Sequence, residues 1–335
     1  MKKILAKLIT KKDLTKKDSK YAMDLILQGH ATQAQIGSLL TSLRIKGETK
    51  NEITGFVRII RDKAKKFRTT KSNLVDMCGT GGDNSNTFNI STAVSFVAAG
   101  AGANVVKHGN RSASSKCGSA DVLEKLGVKI DVSSQRSQKI LEKIGICYLF
   151  APSYHPSFKH VVPARKQLGF RTVFNFLGPM CNPSDVKNQV IGVYDPKQSR
   201  IIAEVLQDLG SEHVLVVNGS GLDEITTTGT TSVTELKHKK IREYEISPGD
   251  YKIKSADLKD IRGGTPEENK KIIQNILAGK KGPGRDIVLL NSGAAIYVSK
   301  TADSIREGIK FAEESIDSGK AMEKLNQLIK ETNSK

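Results

Sequence analysis

The stretch from Asp76 to Gly127 constrains this chain more than any other part of its sequence. Within about fifty residues it holds a Gly-Thr-Gly-Gly-Asp turn, a Lys-His-Gly-Asn turn and two helix starts. Glycine permits positive φ and lets backbone N–H groups approach an anion closely. Helix N-termini add free N–H donors and the positive end of the helix dipole. So many anion-binding features close together predict a ligand that carries more than one phosphate.

The chain beyond residue 73 alternates short apolar runs with helical patterns. Strands are predicted at 74–78, 105–107, 146–150, 189–193, 213–217 and 287–290, and helices at 92–101, 119–126, 198–209, 266–277 and 302–318. Two further strands, 226–234 and 241–246, are expected to form an antiparallel excursion. Alternating strands and helices predict a largely parallel sheet covered on both faces. Ligands of such sheets bind at the carboxyl ends of the strands, where the glycine-rich turns fall here.

The first 70 residues carry only helical signals. Apolar residues recur at helical spacing through 3–68, with Thr32 and Thr49 as N-caps and Glu52 completing a capping box. The fold class is therefore α/β, with a small N-terminal helical domain (1–72) and a larger α/β domain with a mostly parallel central sheet (73–335). The apolar stripes of the helices suit an interface within the domain or between subunits.

The formal net charge of +18 is concentrated at the N-terminus. Residues 1–71 contribute an excess of about 12 positive charges. A nucleic-acid-binding face is one interpretation, and a solvated lysine-rich helical surface is the other. Few aromatic residues lie among these lysines to stack on bases, so no nucleic-acid partner is expected.

The location of the protein is predicted from what its sequence lacks. No apolar run approaches the roughly 20 residues needed to cross a bilayer. Lysines interrupt the N-terminal apolar residues, which is not typical of a signal peptide. The four cysteines are scattered without a CxxC pair, which favours free thiols over disulfides or a zinc site. We expect a cytoplasmic protein with no membrane segment.

Four separate segments of the sequence make up the candidate site. The loop 79–83 follows a strand but is neither a Walker A loop nor a GxGxxG turn. Asn89 to Thr92 opens the next helix, and Lys107 places a cation at the end of the second strand. A pyrophosphate calls for a divalent cation, and Asp223 with Glu224 offers adjacent carboxylates suited to Mg²⁺, unless the pair is merely solvated.

Six segments together resemble the anthranilate phosphoribosyltransferase family. They are GTGGD at 79–83, NTFNIST at 86–92, KHGNR at 107–111, GSADVLE at 118–124, the HP…VVPARKQLGFRTVFNFLGP stretch at 155–179 and GLDEI at 221–225. They span nearly the whole chain in order. The resemblance implies a helical domain joined by hinges to an α/β domain, a homodimer formed through the helical domains, and phosphoribosyl pyrophosphate (PRPP) bound in the cleft. Cys78 and Cys117 stand where the family commonly has valine and serine.

The resemblance also implies roles for individual residues. PRPP-binding positions are Gly79, Gly82, Asp83, Thr87, Asn89, Ile90, Ser91, Thr92, Lys107, His108, Gly109, Asn110, Arg111, Ser112, Ala113, Ser114, Ser115 and Ser119. Anthranilate-binding positions are Gly79, Asn110 and Arg165, and His108 and Arg171 are placed along the same tunnel. Two Mg²⁺ ions are implied: Ser91 and Glu224 share one, and Asp223 with Glu224 holds the second.

The implied reaction transfers the phosphoribosyl group of PRPP to anthranilate, the second step of tryptophan synthesis from chorismate. The amine replaces pyrophosphate at the anomeric carbon with inversion, so no covalent nucleophile is expected among the side chains. Two alternatives remain open. A pyrimidine-nucleoside phosphorylase would share the architecture and the KHG segment, but it has a different glycine loop and no Asp-Glu pair. A non-catalytic nucleic-acid-binding relative would account for the charge.

Overall fold

A seven-stranded sheet forms the centre of the computed structural model, which describes residues 1–83, 85–112 and 116–334. Its strands are β1 (Leu74–Gly79), β2 (Asn104–Gly109), β3 (Ile146–Phe150), β4 (Asn188–Gly192), β5 (His213–Asn218), β6 (Thr231–Lys237) and β7 (Lys240–Ile246). Their order is β3-β2-β1-β4-β5-β6-β7. The first five strands are parallel, and β6 and β7 extend the sheet antiparallel. The predicted α/β class with a mostly parallel sheet is confirmed.

Four helices precede the sheet: α1 (Lys2–Ile9), α2 (Lys16–Leu27), α3 (Gln33–Lys46) and α4 (Lys50–Lys63). Thr32 and Thr49 cap α3 and α4, as predicted, and each forms a full capping box. The carboxylate of Glu52 is buried and accepts hydrogen bonds from the N–H groups of Thr49 (2.8 Å) and Leu14 (2.9 Å). Lys46 Nζ lies 3.0 Å from the same carboxylate, so an ion pair joins the end of α3 to the start of α4.

The later helices cover both faces of the sheet. They are α5 (Ile90–Gly100), α6 (Ser119–Leu126), α7 (Ser134–Ile144), α8 (Ala151–Tyr154), α9 (Val162–Leu168), α10 (Phe174–Met180), α11 (Ser199–Asp208), α12 (Pro266–Leu277), α13 (Pro283–Val298), α14 (Ile305–Asp317) and α15 (Lys320–Asn333). Two cores result. Helices α1–α4 share one with α9, α10 and α11, and α5, α6 and α12–α15 lie in the other.

Strand β5 shows how the sheet separates the two cores. Val214 and Val216 face the core that contains α1–α4, whereas Leu215 and Val217 face the core that contains α5. This alternation follows from the two-residue period of a strand. Residues of both sequence halves therefore contribute to the core that holds α1–α4, and the boundary at residue 72 stays a prediction.

One predicted strand is wrong. Residues 287–290 lie inside α13, whose residues from Ile287 to Ile296 are all buried. A short apolar run is compatible with either a buried strand or a buried helix, and periodicity cannot separate the two when every face is covered. The predicted strand 226–234 is also too long, because β6 begins only at Thr231 and Thr226 to Thr228 form a hydrogen-bonded turn.

The N-terminal lysines take part in ion pairs with acidic side chains. Lys16 and Lys50 both contact Asp208 of α11, at 2.5 and 2.9 Å, and Lys63 contacts Asp24 at 3.0 Å. The side chains of these pairs are partly exposed to solvent, so each pair contributes little stability. Part of the positive excess is thus neutralised locally. Across the described ranges, no helix has the length and apolarity needed to cross a membrane, and the four cysteines carry thiols rather than disulfides.

Candidate active site

The site lies where β1 and β4 end side by side. This is the switch point of the parallel sheet, because the strand order reverses direction between these two strands. Gly79 pairs with Gly192 across the strand ends. The loop after β5 brings Asp223 directly over both glycines, and a Cβ atom on either one would collide with Asp223. Only glycine at both positions allows this approach.

The loop 79–83 wraps around the Asp223 carboxylate. Gly81 and Gly82 have φ values of +70° and +76°, which favour glycine. The N–H of Gly81 donates to Asp223 Oδ2 at 2.7 Å. Asp83 accepts hydrogen bonds from the N–H and hydroxyl of Ser85, at 3.1 and 2.7 Å. The loop therefore presents backbone groups and carboxylates together at the end of β1.

The acidic pair sits in an environment that disfavours its charge. Burial, followed by repulsion from Asp83, raises the pKa of Asp223 from 3.8 to about 7. Burial, followed by repulsion from Asp223, raises the pKa of Glu224 well above its usual value, while Lys107 and the N–H of Ser91 act in the opposite direction. Asp83, Asp223 and Glu224 therefore lie close enough to repel one another. Buried acids with pKa values raised in this way mark a candidate functional site.

Lys107 is the buried cation of the site. It lies near the end of β2, and its Nζ donates to Met77 O at 2.9 Å and to Ser91 Oγ at 3.1 Å. Burial lowers its pKa, while Asp76 and Glu224 oppose that shift. The ammonium thus connects β1 to the start of α5, and its charge favours the ionised form of Glu224.

Asp76 and Asn182 form buried hydrogen bonds that hold β2 against β1 beside Lys107. Neither residue was predicted from the sequence as part of the site. Asp76 Oδ1 accepts from the N–H of His108 at 3.2 Å, and its Oδ2 accepts from Asn182 Nδ2 at 2.9 Å. Burial raises the pKa of Asp76 to about 6. The signal available in the sequence was an acidic residue inside an otherwise apolar strand.

The predicted site residues at the start of α5 differ in how far their side chains are available to a ligand. Asn89 Nδ2 donates to Cys117 O at 3.1 Å, which ties α5 to the segment before α6. Ser91 faces Lys107, as described above. Ile90 and Thr92 are buried, and the Ile90 side chain packs in the core, so only its backbone could contact a ligand. Thr87 forms an isolated bridge with Arg262.

The end of β2 is closely packed against α6. A Cβ on Gly109 would collide with the Ser119 hydroxyl, which itself lies 3.1 Å from Tyr148 OH. Asn110 O accepts a hydrogen bond from that hydroxyl at 3.3 Å. Arg111 is half-exposed and forms ion pairs with two acids of α6, Asp121 and Glu124. Ser112 donates its N–H to Asp121 (3.0 Å), and the candidates Ala113, Ser114 and Ser115 lie outside the described residues.

A row of rings connects this edge to Arg165. The Arg165 guanidinium lies 5.6 Å from the ring of Phe174, and Phe174 meets Phe158 edge-on at 5.7 Å. Phe158 stacks on His155 at 5.2 Å, and His155 meets His108 edge-on at 5.3 Å. Burial lowers the pKa of both histidines, to about 4 for His155, so both rings are neutral. Arg165 is thus linked to His108 by a continuous row of packed side-chain rings.

The donor set fits magnesium. Asp223, Glu224 and Ser91 offer only oxygen atoms, which Mg²⁺ prefers. In the described part of the chain, no group of three or more His, Cys, Asp or Glu side chains has the arrangement of a complete metal site. This agrees with the usual behaviour of Mg²⁺, which takes one or two carboxylates and completes its shell with water and substrate phosphates.

Comparisons with known proteins agree with this geometry. Residues 71–322 match the family model "Glycosyl transferase family, a/b domain", and residues 2–64 match "Glycosyl transferase family, helical bundle domain". Anthranilate phosphoribosyltransferase of Acetivibrio thermocellus is 52% identical over 335 residues, which cover 100% of this chain and 97% of the relative.

Solved structures give the same result. The anthranilate phosphoribosyltransferase of Thermus thermophilus superposes with a TM-score of 0.95 at 37% identity, covering 99% of both chains. The Saccharomyces cerevisiae enzyme in complex with PRPP and Mg superposes with a TM-score of 0.91 at 29% identity, covering 99% of this chain and 98% of that one. With both domain models matched and full-length relatives at about half identity, this chain belongs to the anthranilate phosphoribosyltransferase family.

Proposed function

We propose that this protein transfers the 5-phosphoribosyl group of PRPP to anthranilate, giving N-(5-phosphoribosyl)anthranilate and pyrophosphate. The observation that carries the proposal is the meeting of the acidic pair with the glycine loop at the switch point, where Gly81 N–H donates to Asp223 at 2.7 Å. Lys107 and the start of α5 complete this edge. Family membership supplies the identity of the two substrates.

The residues act by positioning and by electrostatics. The glycine loop and the N-terminus of α5 offer N–H donors to the phosphates, and Lys107 adds a buried positive charge beside them. Magnesium, when bound, neutralises the charge that develops on the departing pyrophosphate. Arg165, the row of rings and Asn110 hold the acceptor with its amine towards the ribose. Because an aromatic amine is already a neutral nucleophile, orientation counts for more than a strong base.

The test is a fluorescence assay. Purified protein is mixed with anthranilate, PRPP and Mg²⁺, and the loss of anthranilate fluorescence is followed. We expect loss that requires all three components. No loss beside an active control enzyme would refute the proposal. Phosphate with thymidine is the matching assay for a nucleoside phosphorylase, and we expect no turnover there.

We further propose that the acidic pair binds two Mg²⁺ ions, one shared by Ser91 and Glu224 and one by Asp223 and Glu224. Removing both charges, in Asp223→Asn with Glu224→Gln, should lower kcat at saturating PRPP by about 100-fold or more, as expected when a main source of transition-state charge stabilisation is lost. The Mg²⁺ concentration dependence of the rate should weaken in parallel. Wild-type kinetics in the double variant would contradict the metal assignment.

We propose a homodimer that uses the N-terminal helices. Ile9, Ile45 and Val162 are apolar side chains exposed by 71%, 70% and 54%. They lie on α1, α3 and α9, and α3 packs against both of the other helices. Scattered exposed apolar residues are normal, but three on adjoining helices favour an interface. We also propose a cytoplasmic location, since an enzyme of this class works on metabolites of that compartment.

Changing the exposed isoleucines tests the interface. We expect Ile9→Glu with Ile45→Glu to convert the dimer to a monomer in analytical ultracentrifugation, because two buried charges per subunit would lack partners. Leu258→Glu, at an exposed apolar residue outside these helices (38% exposed), is the control and should stay dimeric. A wild-type monomer, or a dimer that survives the double substitution, would contradict the interface.

A further inference from the structure

Arg171 occupies an unusual position beside the glycine loop. It lies in the short connection between α9 and α10. Its Nη2 donates a hydrogen bond to the carbonyl oxygen of Gly82. The face of its guanidinium lies on the ring of Tyr194, with the central carbon 3.7 Å from the ring centroid. A Cβ on Gly82 would collide with this guanidinium, so glycine is required there for the contact as well as for its positive φ.

The three partners come from separate parts of the fold. Two and three residues after Arg171, Val173 and Phe174 are buried in the core that contains α1–α4. Gly82 follows β1, and Tyr194 follows β4, the two strands of the switch point. The arginine therefore ties the connection between α9 and α10 to the loop and to the strand end beneath it.

The loop is held on its two sides by a carboxyl group and by a guanidinium group. On one side the Asp223 carboxylate accepts the N–H of Gly81 at 2.7 Å. On the other side the guanidinium donates to the carbonyl of Gly82. With the carbonyl of Gly82 fixed, the peptide that follows it is also fixed, so the direction of the Asp83 N–H is set. Hydrogen bonds from a charged donor are roughly twice as strong as neutral ones, and stacking on tyrosine keeps the guanidinium plane in place.

A second donor atom of Arg171 is left without a partner. Its Nη1 is buried and has no hydrogen-bond partner among the described residues. The resemblance to the family places Arg171 along the anthranilate tunnel. In the structure the ring beneath its guanidinium is Tyr194, whereas the row of rings from Arg165 to His108 runs through Phe174, Phe158 and His155.

We propose that Arg171, stacked on Tyr194, is a positioning residue that holds the glycine loop in the conformation that binds the phosphoribosyl donor. It sets the affinity for PRPP with Mg²⁺ and leaves the affinity for anthranilate nearly unchanged. The inference rests on the proposed function, since it names which of the two substrates depends on the contact. A purely structural clamp would instead lower stability and weaken both substrates alike.

The test uses one substitution that keeps the positive charge at residue 171 and another that removes the aromatic ring at residue 194. Arg171→Lys keeps the charge but loses the planar stack, and Tyr194→Leu removes the ring face. Each should raise the Kd for PRPP, measured by calorimetry with Mg²⁺ and without anthranilate, by about 10-fold, the effect of one lost charge-assisted hydrogen bond. The KM for PRPP should rise similarly and the KM for anthranilate by less than about twofold. Tyr194→Phe should restore most of the affinity lost in Tyr194→Leu.

A matched pair elsewhere in the chain controls for general effects of such changes. Arg306 of α14 lies over the ring of Tyr251, with its central carbon 5.7 Å from the centroid, and Tyr251 follows β7, the edge strand of the sheet. Arg306→Lys and Tyr251→Leu should leave both KM values at the wild-type level. The Arg171→Lys, Tyr194→Leu double variant should be little worse than either single variant, because both remove the same support.

The possible results distinguish a failure of the positioning role of Arg171 from a failure of the proposed function. An active wild-type enzyme whose Arg171 and Tyr194 variants bind PRPP normally would overturn the positioning role alone. Equal increases in both KM values with a lowered melting temperature would also overturn it, in favour of a structural clamp. A wild-type protein that does not consume PRPP and anthranilate would overturn the proposed function and the positioning role with it. If Arg171→Lys fails to fold, the positioning role is decided by the Kd for PRPP of Tyr194→Leu compared with that of Tyr194→Phe.

Discussion

Gly192 offers the sharpest test of how the acidic pair is placed. It ends β4 beside Gly79, and a Cβ on this residue would lie far inside contact distance of the Asp223 backbone, its O and C atoms being nearest. The neighbours are backbone atoms, so no side-chain rotation can relieve the collision. The nearest atom, Asp223 O, would lie so close to the added Cβ that the Asp223 backbone must retreat by about 1.4 Å to reach even the 3.0 Å below which real Cβ atoms are essentially never found.

The size of the effect follows from that displacement. A misplacement of about 1 Å in a site can cost about 100-fold in rate, and overpacking costs about 1–3 kcal/mol in stability. We therefore expect Gly192→Ala to lower kcat/KM by about 100-fold and to raise the Mg²⁺ concentration needed for half-maximal rate. The melting temperature should fall by only a few degrees, so the protein stays folded under assay conditions.

The measurement combines the anthranilate fluorescence assay with a Mg²⁺ titration. Gly249→Ala is the control, because an added Cβ there meets only Ser247 Oγ at 3.9 Å and the backbone φ is not positive. The control should keep wild-type kinetics. A Gly192→Ala enzyme with kcat/KM within about threefold of wild type, and an unchanged Mg²⁺ dependence, would refute the assigned position of the acidic pair.

Two further predictions concern stability. Glu52→Gln should lower the free energy of unfolding by about 2 kcal/mol in urea titrations, because the buried carboxylate loses its ion pair with Lys46 while Lys46 keeps Asp13 as a second partner at 2.8 Å; a loss below about 1 kcal/mol would mean that the pair with Lys46 is screened by solvent. His155 has a pKa lowered to about 4 by burial, below its usual 6.5. Between pH 6.5 and 4 the unfolded chain therefore binds the proton more readily, and stability falls as the pH falls through that window. His155→Phe should reduce this slope by up to about 1.4 kcal/mol per pH unit, and an unchanged slope would contradict a buried neutral ring.

Local patterns predicted much of the fold because they are set by neighbours in the sequence. The helix 119–126, the strand 146–150 and the helix 266–277 have the predicted bounds, and the capping box of Thr49 and Glu52 is present. The strand prediction at 287–290 is wrong because this segment is a helix that other elements bury on every side, so its sequence shows no helical alternation of apolar and polar residues. Burial of this kind depends on neighbours in space and not on neighbours in the sequence. The site also contains a contact between distant residues that local patterns could not predict. Asp76 lies within a segment noted from sequence, but its partner Asn182 is 106 residues away.

The sequence by itself determined the chemical groups available to this protein. These groups are the glycines at strand ends, the helix starts, a lysine and an acidic pair. Each is a local feature whose chemistry can be recognised from the sequence alone. The tertiary structure alone decided which of them meet. It brought Asp223 over Gly79 and Gly192, joined Lys107 to Ser91, and directed Arg171 to Gly82 and Tyr194. These contacts depend on the order of the strands in the sheet, since parallel strands from distant segments end at one edge, and strand order is set by the packing of both cores together.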